Sequence, residues 1–470
     1  MGTFIGRHQE LSQLHELISS PRPQIAVVYG RRRIGKSALI KKALEGKKAL
    51  FFEGLEAQST HHQLHNFCLQ LKHQTGKEIS AIPKTWREAF LLLEEWLGLN
   101  QGCIVLDELQ WMANYRHAMI SDLKMVWDQY FTKIPHVTLI LAGSIASFML
   151  TKVVRSKALY GRTDRVIHLQ PFKLKETRQM LPNMGLTECL EAQMIFGGVP
   201  KYLELIENAS SLYLAMDDLA FSDNGFLGQE FERIFISHFG KNEDFRKIVN
   251  TLALHPYGLM RKDLALTAKV DTGGGLTQLL YDLESAGFIT GLRSMDRPSS
   301  PKVVRYILSD AFVRFRYALM SKQAANPQLA SRITFSQIVQ KPAFHVWRGH
   351  ALELLCLNHS QEIAKILGFN GIEYSCGPYF QSGSQQDNGV QIDLAFLRAD
   401  HVITQCEIKS SLQPIGAKVI EEIQLKTAYL ASKFPRHRIQ NILIHCGPLT
   451  RDVEHTPYIE KRINVLELLG

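Results

Sequence analysis

The sequence predicts an α/β protein in which a parallel sheet comes first, helices follow, and a second α/β unit closes the chain. Three observations carry that expectation. From residue 1 to about 170, apolar runs of strand length alternate with helical periodicity, the pattern of a parallel sheet with helical crossovers. After Gln170 and Pro171 the strand pattern stops and helical periodicity takes over. Beyond about residue 310 strand runs return around one long helix. At 470 residues the chain is too long for one compact core, and about 150 residues per domain predicts roughly three.

Taken in order, the first block (1–170) has strands expected at 25–29, 49–52, 103–106, 138–142 and 166–169, with helices at 36–44 and 86–97. The second block (171–240) reads as helices interrupted by Gly197, Gly198, Val199 and Pro200, a helical lid. In the third (241–309), three short helical patterns end at 276–285. A strand near 287–290, a polar basic turn at 297–302 and a strand at 303–308 follow, the order of a winged helix. The fourth (310–470) opens with helices, then places strands at 372–375, 390–397, 402–409 and 441–445 and a helix at 414–434.

Composition narrows the class. Hydrophobic residues make up 45%, charged residues 21%, and the mean hydropathy is −0.08, the balance of a globular chain rather than a disordered or membrane-embedded one. The longest apolar stretch, 137–150, is broken by Gly143, Ser144 and Ser147 and falls short of the about 18 residues of a spanning helix. The first residues have neither a secretory nor a myristoylation pattern. No membrane partner is expected. Seven scattered cysteines without C-x-x-C or zinc spacing fit a reducing cytoplasm. Lysine plus arginine exceeds aspartate plus glutamate by 54 − 45 = 9, which draws the chain toward polyanions such as nucleic acid or nucleotides.

The strand at 25–29 runs into Gly30-Arg31-Arg32-Arg33-Ile34-Gly35-Lys36-Ser37 and then a helix. This is G-x-x-x-x-G-K-S in the strand, loop and helix context that phosphate binding requires. Gly30 and Gly35 let backbone N–H groups turn inward, the helix N-terminus adds its dipole, Lys36 supplies a point charge, and Ser37 a magnesium ligand. Arg31, Arg32 and Arg33 can neutralise phosphate, but three adjacent arginines cannot all point inward; Arg33 is assigned to the nucleotide. About 70 residues on, Asp107 and Glu108 end an apolar strand. Asp107 is expected to hold magnesium through water, and Glu108 to orient and activate the attacking water. Ser144, at the end of the next strand, is expected beside the γ-phosphate as a polar sensor. Arg162 is the candidate transition-state cation, within the chain or on a neighbouring subunit of a homo-oligomer.

These residues resemble the AAA/STAND-related P-loop ATPases of archaeal type, in which a nuclease-like domain follows the ATPase. The likeness rests on Phe4, Ile5, Gly6, Arg7, Glu10 and Leu11, on 30–37, on 106–108, on Gly143 and Ser144, on Gly161 and Arg162, and on 197–200. It implies a P-loop NTPase sheet with ATP and Mg2+ as cofactors. It also implies that Phe4, Gly6 and Arg7 border the adenine, and that the turn at Pro200 brings the lid against the nucleotide.

Near the C-terminus Asp393 and the run Glu407-Ile408-Lys409 lie on two strands expected to pair across a turn at 398–401. If Leu397 faces Val402, Asp393 falls opposite Cys406; a register one residue away sets it opposite Glu407. Glu407 and Lys409 share a face by the period of two. Two acids side by side in a sheet repel unless something positive lies between them, and magnesium with a lysine answers that need. The arrangement resembles the D…E-x-K core of restriction-type and RecB-type nucleases, PD-(D/E)xK enzymes with a restriction-endonuclease-like α/β fold. That resemblance implies Asp393 and Glu407 as ligands of Mg2+, with Mn2+ as an alternative, Lys409 positioning water and stabilising phosphorane charge, and Glu353 as the upstream helix acid. Gln424 and Tyr429 on the following helix depart from the RecB-type Q-x-x-x-Y spacing.

The winged-helix block offers Lys262, Lys269, Arg293, Arg297, Lys302 and Arg305 to phosphates. Its third helix, with Gln278 beside Asp282 and Glu284, is poorly suited to base reading. The expected function is an ATP-driven machine controlling a metal-dependent nuclease on nucleic acid, with DNA favoured as the polymer. The alternative is an ATP-operated regulatory switch in which the C-terminal fold only binds a partner.

Overall fold

The structure is a computed structural model that describes residues 4–222, 225–240, 242–297, 304–320, 333–381 and 389–469. The chain divides into two compact units, Met1–Pro171 with Val199–Lys201, and Phe172–Gly198 with Tyr202–Gly470.

In the first unit five strands, β1 (Gln24–Tyr29), β2 (Ala49–Glu53), β3 (Cys103–Asp107), β4 (Thr138–Gly143) and β5 (Arg165–His168), form one parallel sheet in the order β2-β3-β4-β1-β5. Strand alternation divides β1 between two cores. Ile25, Val27 and Tyr29 pack on one face with Phe52, Phe67 and Phe90, and Ala26 and Val28 on the other with Leu14, Leu39 and Ile40. Both faces are therefore covered, which is why β1, β3 and β4 read as unbroken apolar runs. The helices that cover them begin where side chains cap free N–H groups: Ser59 for α3 (Thr60–Thr75) and Thr85 for α4 (Trp86–Asn100), after α1 (His8–Ile18) and α2 (Lys36–Ala43). The apolar stretch at 137–150 is β4 and the short helical turns after it. No described helix is long and apolar enough to cross a membrane.

Because β4 lies between β1 and β3, the carboxyl ends of these three strands are neighbours. That edge gathers the phosphate loop after Tyr29, the acids at 107–108 and Ser144, as the crevice rule for parallel sheets requires.

The second unit starts with helices α5 (Leu174–Met180), α6 (Leu186–Phe196), α7 (Leu212–Ala220) and α8 (Phe226–Phe239). Three more, α9 (Glu243–Ala253), α10 (Arg261–Ala268) and α11 (Gly274–Ser285), accompany a three-stranded antiparallel sheet, β6-β8-β7, of β6 (Leu259–Met260), β7 (Ile289–Arg293) and β8 (Val304–Leu308). Strand β6 is too short to leave a trace in the sequence pattern.

A second sheet has the order β13-β12-β11-β10-β9. Strands β9 (Tyr374–Gln381), β10 (Val390–Arg398) and β11 (Val402–Lys409) form an antiparallel meander; β12 (Arg438–His445) and β13 (Lys461–Asn464) continue parallel to β11. Helix α12 (Pro342–Asn358) precedes it and α13 (Lys418–Lys433) joins β11 to β12. Strand β9 begins two residues later and extends further than the sequence reading placed it.

These parts are not separate modules, although the sequence pattern divides them. Met295, just beyond β7, is buried with Tyr379, Ile392, Ile403 and Leu430 of the second sheet. Its amide donates to the Pro378 carbonyl at 3.2 Å. Glu191 of α6 and Arg348 of α12 form a buried pair at 3.8 Å, both side chains 3% exposed.

Candidate functional site

Residues 30–35 loop between β1 and α2 under tight constraint. Gly30 has φ +153°, and a Cβ there would lie 2.4 Å from the Leu169 carbonyl oxygen. Gly35, at φ +88°, precedes α2. Lys36 is buried, and its ammonium donates to the carbonyls of Gly30 and Arg31, both at 3.1 Å. Burial pulls its pKa down, while Glu108 and Asp107 pull it up. A buried cation satisfied mainly by loop carbonyls fits a site for phosphate. Ser37 Oγ donates to Asp107 Oδ2 at 2.5 Å, so a hydroxyl and a carboxylate converge where a hard cation would take oxygen ligands.

Glu108 has φ +48° and its carboxylate accepts from Ser144 Oγ at 2.7 Å. Gln110, fully buried, bridges Glu108 and Ser144, donating to the latter at 3.1 Å. The sequence singled out Glu108 and Ser144 but missed Gln110, whose spacing matches no motif. It also missed Glu53, the register partner of Asp107 on β2; burial and then the charges of Asp107 and Glu108 raise its pKa.

Arg7 reaches the loop from outside the motif, donating to the Ile34 carbonyl at 3.3 Å. Phe4 packs against the core beside α2, and Gly6 turns the chain at φ +63°. Arg32 faces Glu56 at 3.3 Å and lies 4.8 Å from the Trp111 ring, which directs one of the three arginines away from the loop interior. Arg33, at φ +70°, offers its carbonyl to the Lys201 amide at 3.4 Å. The 199–201 segment thus belongs with the phosphate loop, and Pro200 within it is buried.

Arg162 is engaged elsewhere. Its guanidinium grips Asp128 with bonds of 2.6 and 2.8 Å, and this fork holds the Asp128 carboxyl below its usual range. A role as transition-state cation requires Arg162 to leave Asp128.

On the second sheet Leu394 pairs with Cys406, so partner numbers sum to 800 over 394–397; carried one residue back, next to the irregularity between Ile392 and Ala395, this register sets Asp393 opposite Glu407. This is the second of the two registers considered. The Ile408 amide donates to Asp393 Oδ2 at 3.3 Å. Burial, then Glu407 and Glu353, push the Asp393 carboxyl up to about 7. Glu407 is 3% exposed and both its oxygens are taken, one by Lys409 at 2.9 Å and the other by Lys426 at 2.5 Å. Lys409 also reaches Glu422 at 2.7 Å; burial opposes its charge, yet Glu407 and Glu422 raise its pKa. Glu353 lies 3.5 Å from His350.

Positive charge beside the acids was expected from magnesium together with a lysine; Lys409 supplies the lysine, and Lys426 adds a second cation at Glu407. Among the described residues no group of three or more His, Cys, Asp or Glu is placed to hold a metal. On α13 Lys426 reaches Glu407 and Glu422, one helical turn before it, reaches Lys409, whereas Tyr429 packs toward Tyr379. The sequence reading followed Gln424 and Tyr429 because it searched for a Q-x-x-x-Y spacing.

The basic residues proposed for nucleic acid do not share one exposed face. Lys262, Lys269, Arg293 and Arg297 are exposed, the last beside Asp296. Arg305 instead turns inward, 4.1 Å from the Phe380 ring, and burial lowers its pKa. Lys302 lies outside the described residues. Gln278 spends its amide on Asp282 at 3.0 Å.

Residues 4–206 match a family model described as an ATPase domain predominantly from Archaea. An uncharacterized protein of Methanocaldococcus jannaschii is 26% identical over 320 residues, 67% of this chain and 68% of its own. An uncharacterized ATP-binding protein of Pyrococcus abyssi is 28% identical over 228 residues, covering 43% of this chain and 68% of its own. Among solved structures, a Walker-type ATPase of Pyrococcus abyssi aligns with 67% of this chain and 96% of its own, at 20% identity and a TM-score of 0.48. Residues 4–206 thus match an archaeal-type ATPase domain, and in this chain they hold a phosphate loop at the carboxyl edge of a parallel sheet.

Proposed function

We propose that this ATPase domain drives a nucleic-acid-processing machine, in which ATP binding or hydrolysis controls a metal-dependent nuclease in the second unit. The observation that carries the nuclease half is the register of β10 and β11: Asp393 opposite Glu407, with Lys409 on the face of Glu407. The meander β9-β10-β11, followed by α13 and the parallel β12, supports the restriction-endonuclease-like reading of this sheet. Helices α9 to α11 with the β6-β8-β7 sheet support a winged helix, and with it DNA as the polymer.

In the ATPase centre Lys36 and the loop amides hold the β- and γ-phosphates, Ser37 and Asp107 hold Mg2+, and Glu108 takes the proton of the attacking water while Ser144 fixes its orientation. In the second centre Asp393 and Glu407 hold Mg2+ or Mn2+, which supplies Lewis-acid charge, and Lys409 orients water. Ligation there requires Glu407 to exchange a lysine contact for the cation. All seven cysteines are unpaired, which supports a cytoplasmic setting. Self-assembly would let Arg162 act on a neighbouring copy.

A second reading is favoured by one observation: Glu407 is already neutralised by Lys409 and Lys426. A regulatory switch, with a C-terminal fold that binds a partner and cuts nothing, needs no more than that. Calorimetric Mn2+ titration of a Lys36→Ala background separates the two. The nuclease reading expects a site that Asp393→Asn and Glu407→Gln each remove; no metal-dependent heat beyond that of those variants leaves the switch.

A further inference from the structure

The second unit has an open cavity of about 290 Å³, walled by Leu252 and Pro256 near the end of α9, by Tyr317, and by Trp347 of α12. A smaller pocket of about 60 Å³, lined by Glu353 and Asp393, shares Pro256, Arg314 and His350 with it. The two spaces thus meet at a cation and an imidazole.

Of the two polar residues on the shared wall, His350 lies 3.5 Å from Glu353. Arg314 makes no side-chain hydrogen bond or ion pair among the described residues. Burial lowers its pKa to about 10, so it stays charged at neutral pH; Glu353 is the carboxylate whose charge opposes that shift. Trp347, 4% exposed, contributes a face of its side chain to the cavity wall. Residues 316–320, two positions beyond Arg314, form a π-helical turn, a distortion common at functional sites. Its Tyr317 and Ala318 face the cavity.

We infer that this cavity receives one nucleotide unit, its phosphate at Arg314 and His350 and its base and sugar along Trp347 and the apolar wall. A guanidinium beside an imidazole selects an anion, and flat apolar surfaces select an aromatic body. The volume is at the low end of the about 300–1,000 Å³ of small-molecule pockets, enough for a mononucleotide and too little for a duplex. The inference deepens the nuclease reading, on which it rests: a unit seated here presents its phosphate toward Asp393 and Glu353, which makes the end of a single strand the substrate class. Free nucleoside monophosphates share that chemistry.

The test uses the full-length Lys36→Ala protein, so that nucleotide does not bind at the phosphate loop. Binding of dAMP, of deoxyadenosine, and of hexanucleotides with and without a terminal phosphate is measured by calorimetry. The expected result is binding of dAMP with deoxyadenosine at least tenfold weaker, and a weakening of about 10- to 100-fold in Arg314→Met, the span of a charge-assisted hydrogen bond. Ala343→Phe, a larger side chain on the cavity wall, should weaken binding as well, and thermal melts establish that both variants are folded. A strand end as the natural ligand makes the phosphorylated hexamer bind at least as well as dAMP; a free monophosphate makes dAMP bind and both hexamers fail. Absence of binding by dAMP and by the phosphorylated hexamer, or binding that neither folded variant weakens, overturns the inference. Nucleotide binding without any cleavage in Mg2+ or Mn2+ would remove the nuclease reading instead and leave the cavity standing.

Discussion

Replacing Glu108 by glutamine keeps the volume of the side chain and removes its charge and basicity. The glutamine oxygen still accepts from Ser144, now 2.7 Å from the carboxylate, so the loop geometry survives. The left-handed φ of +48° is the same for both residues, so folding stability changes little. What disappears is proton transfer from the attacking water. A positioned general base contributes about 10²- to 10⁴-fold, or about 3–5 kcal/mol at about 1.4 kcal/mol per tenfold. Phosphate release under saturating Mg-ATP should therefore fall by that factor. ATP affinity, measured with a fluorescent analogue, should stay within about threefold, because Lys36 and Ser37, proposed for phosphate and Mg2+, are left in place. A loss of hydrolysis below about tenfold would assign the base elsewhere. A parallel loss of ATP binding would show that Glu108 holds the site together rather than activating water.

Lys36→Ala removes the buried ammonium that Gly30 and Arg31 now hold and should weaken ATP binding by at least about tenfold; a titration matching wild type would contradict the phosphate-loop assignment. Arg162→Ala should lower hydrolysis by more than tenfold while melting changes little, since its pair with Asp128 is about 30% exposed on both sides and such pairs contribute about 0–1 kcal/mol. Unchanged hydrolysis would leave Arg162 only a partner of Asp128. The raised pKa of Asp393, about 7, lets the metal-free folded state bind a proton that the unfolded chain has released by about pH 4. Stability should therefore fall as pH rises from about 4 to 7. Asp393→Asn should flatten that slope in denaturant melts at pH 5 and 8; an identical slope would place no proton on Asp393.

The ATPase core was legible because its signals are local. A continuous apolar strand, a glycine-lysine-serine turn and a helix occupy one stretch of chain, and each strand of the sheet is buried on both faces. The roles of Arg32 and Arg162 were not legible, because what holds them, Glu56 and Trp111 for one and Asp128 for the other, is set by tertiary contact. In the second sheet the pairing of Asp393 with Glu407 was reduced to two registers, and a one-residue difference in turn geometry decided between them. The lysine that neutralises Glu407 was missed because Lys426 lies on a helix 19 residues further on, where only the packing of α13 brings it to β11. Strands β6 and β13 are too short to show a period. The burial of Met295 against β9 and β10 likewise comes from packing between blocks that the pattern had separated.

The central claim is that a triphosphate-handling centre and a phosphodiester-cleaving centre share this polypeptide. Cleavage of end-labelled single-stranded and duplex DNA, and of RNA, with Mg2+ or Mn2+ and with or without ATP, tests it most directly when wild type is compared with Asp393→Ala. Wild type should cleave in a metal-dependent way and Asp393→Ala should not, with ATP hydrolysis intact in both. Intact polymer in every lane, or equal cleavage by the two proteins, would contradict it.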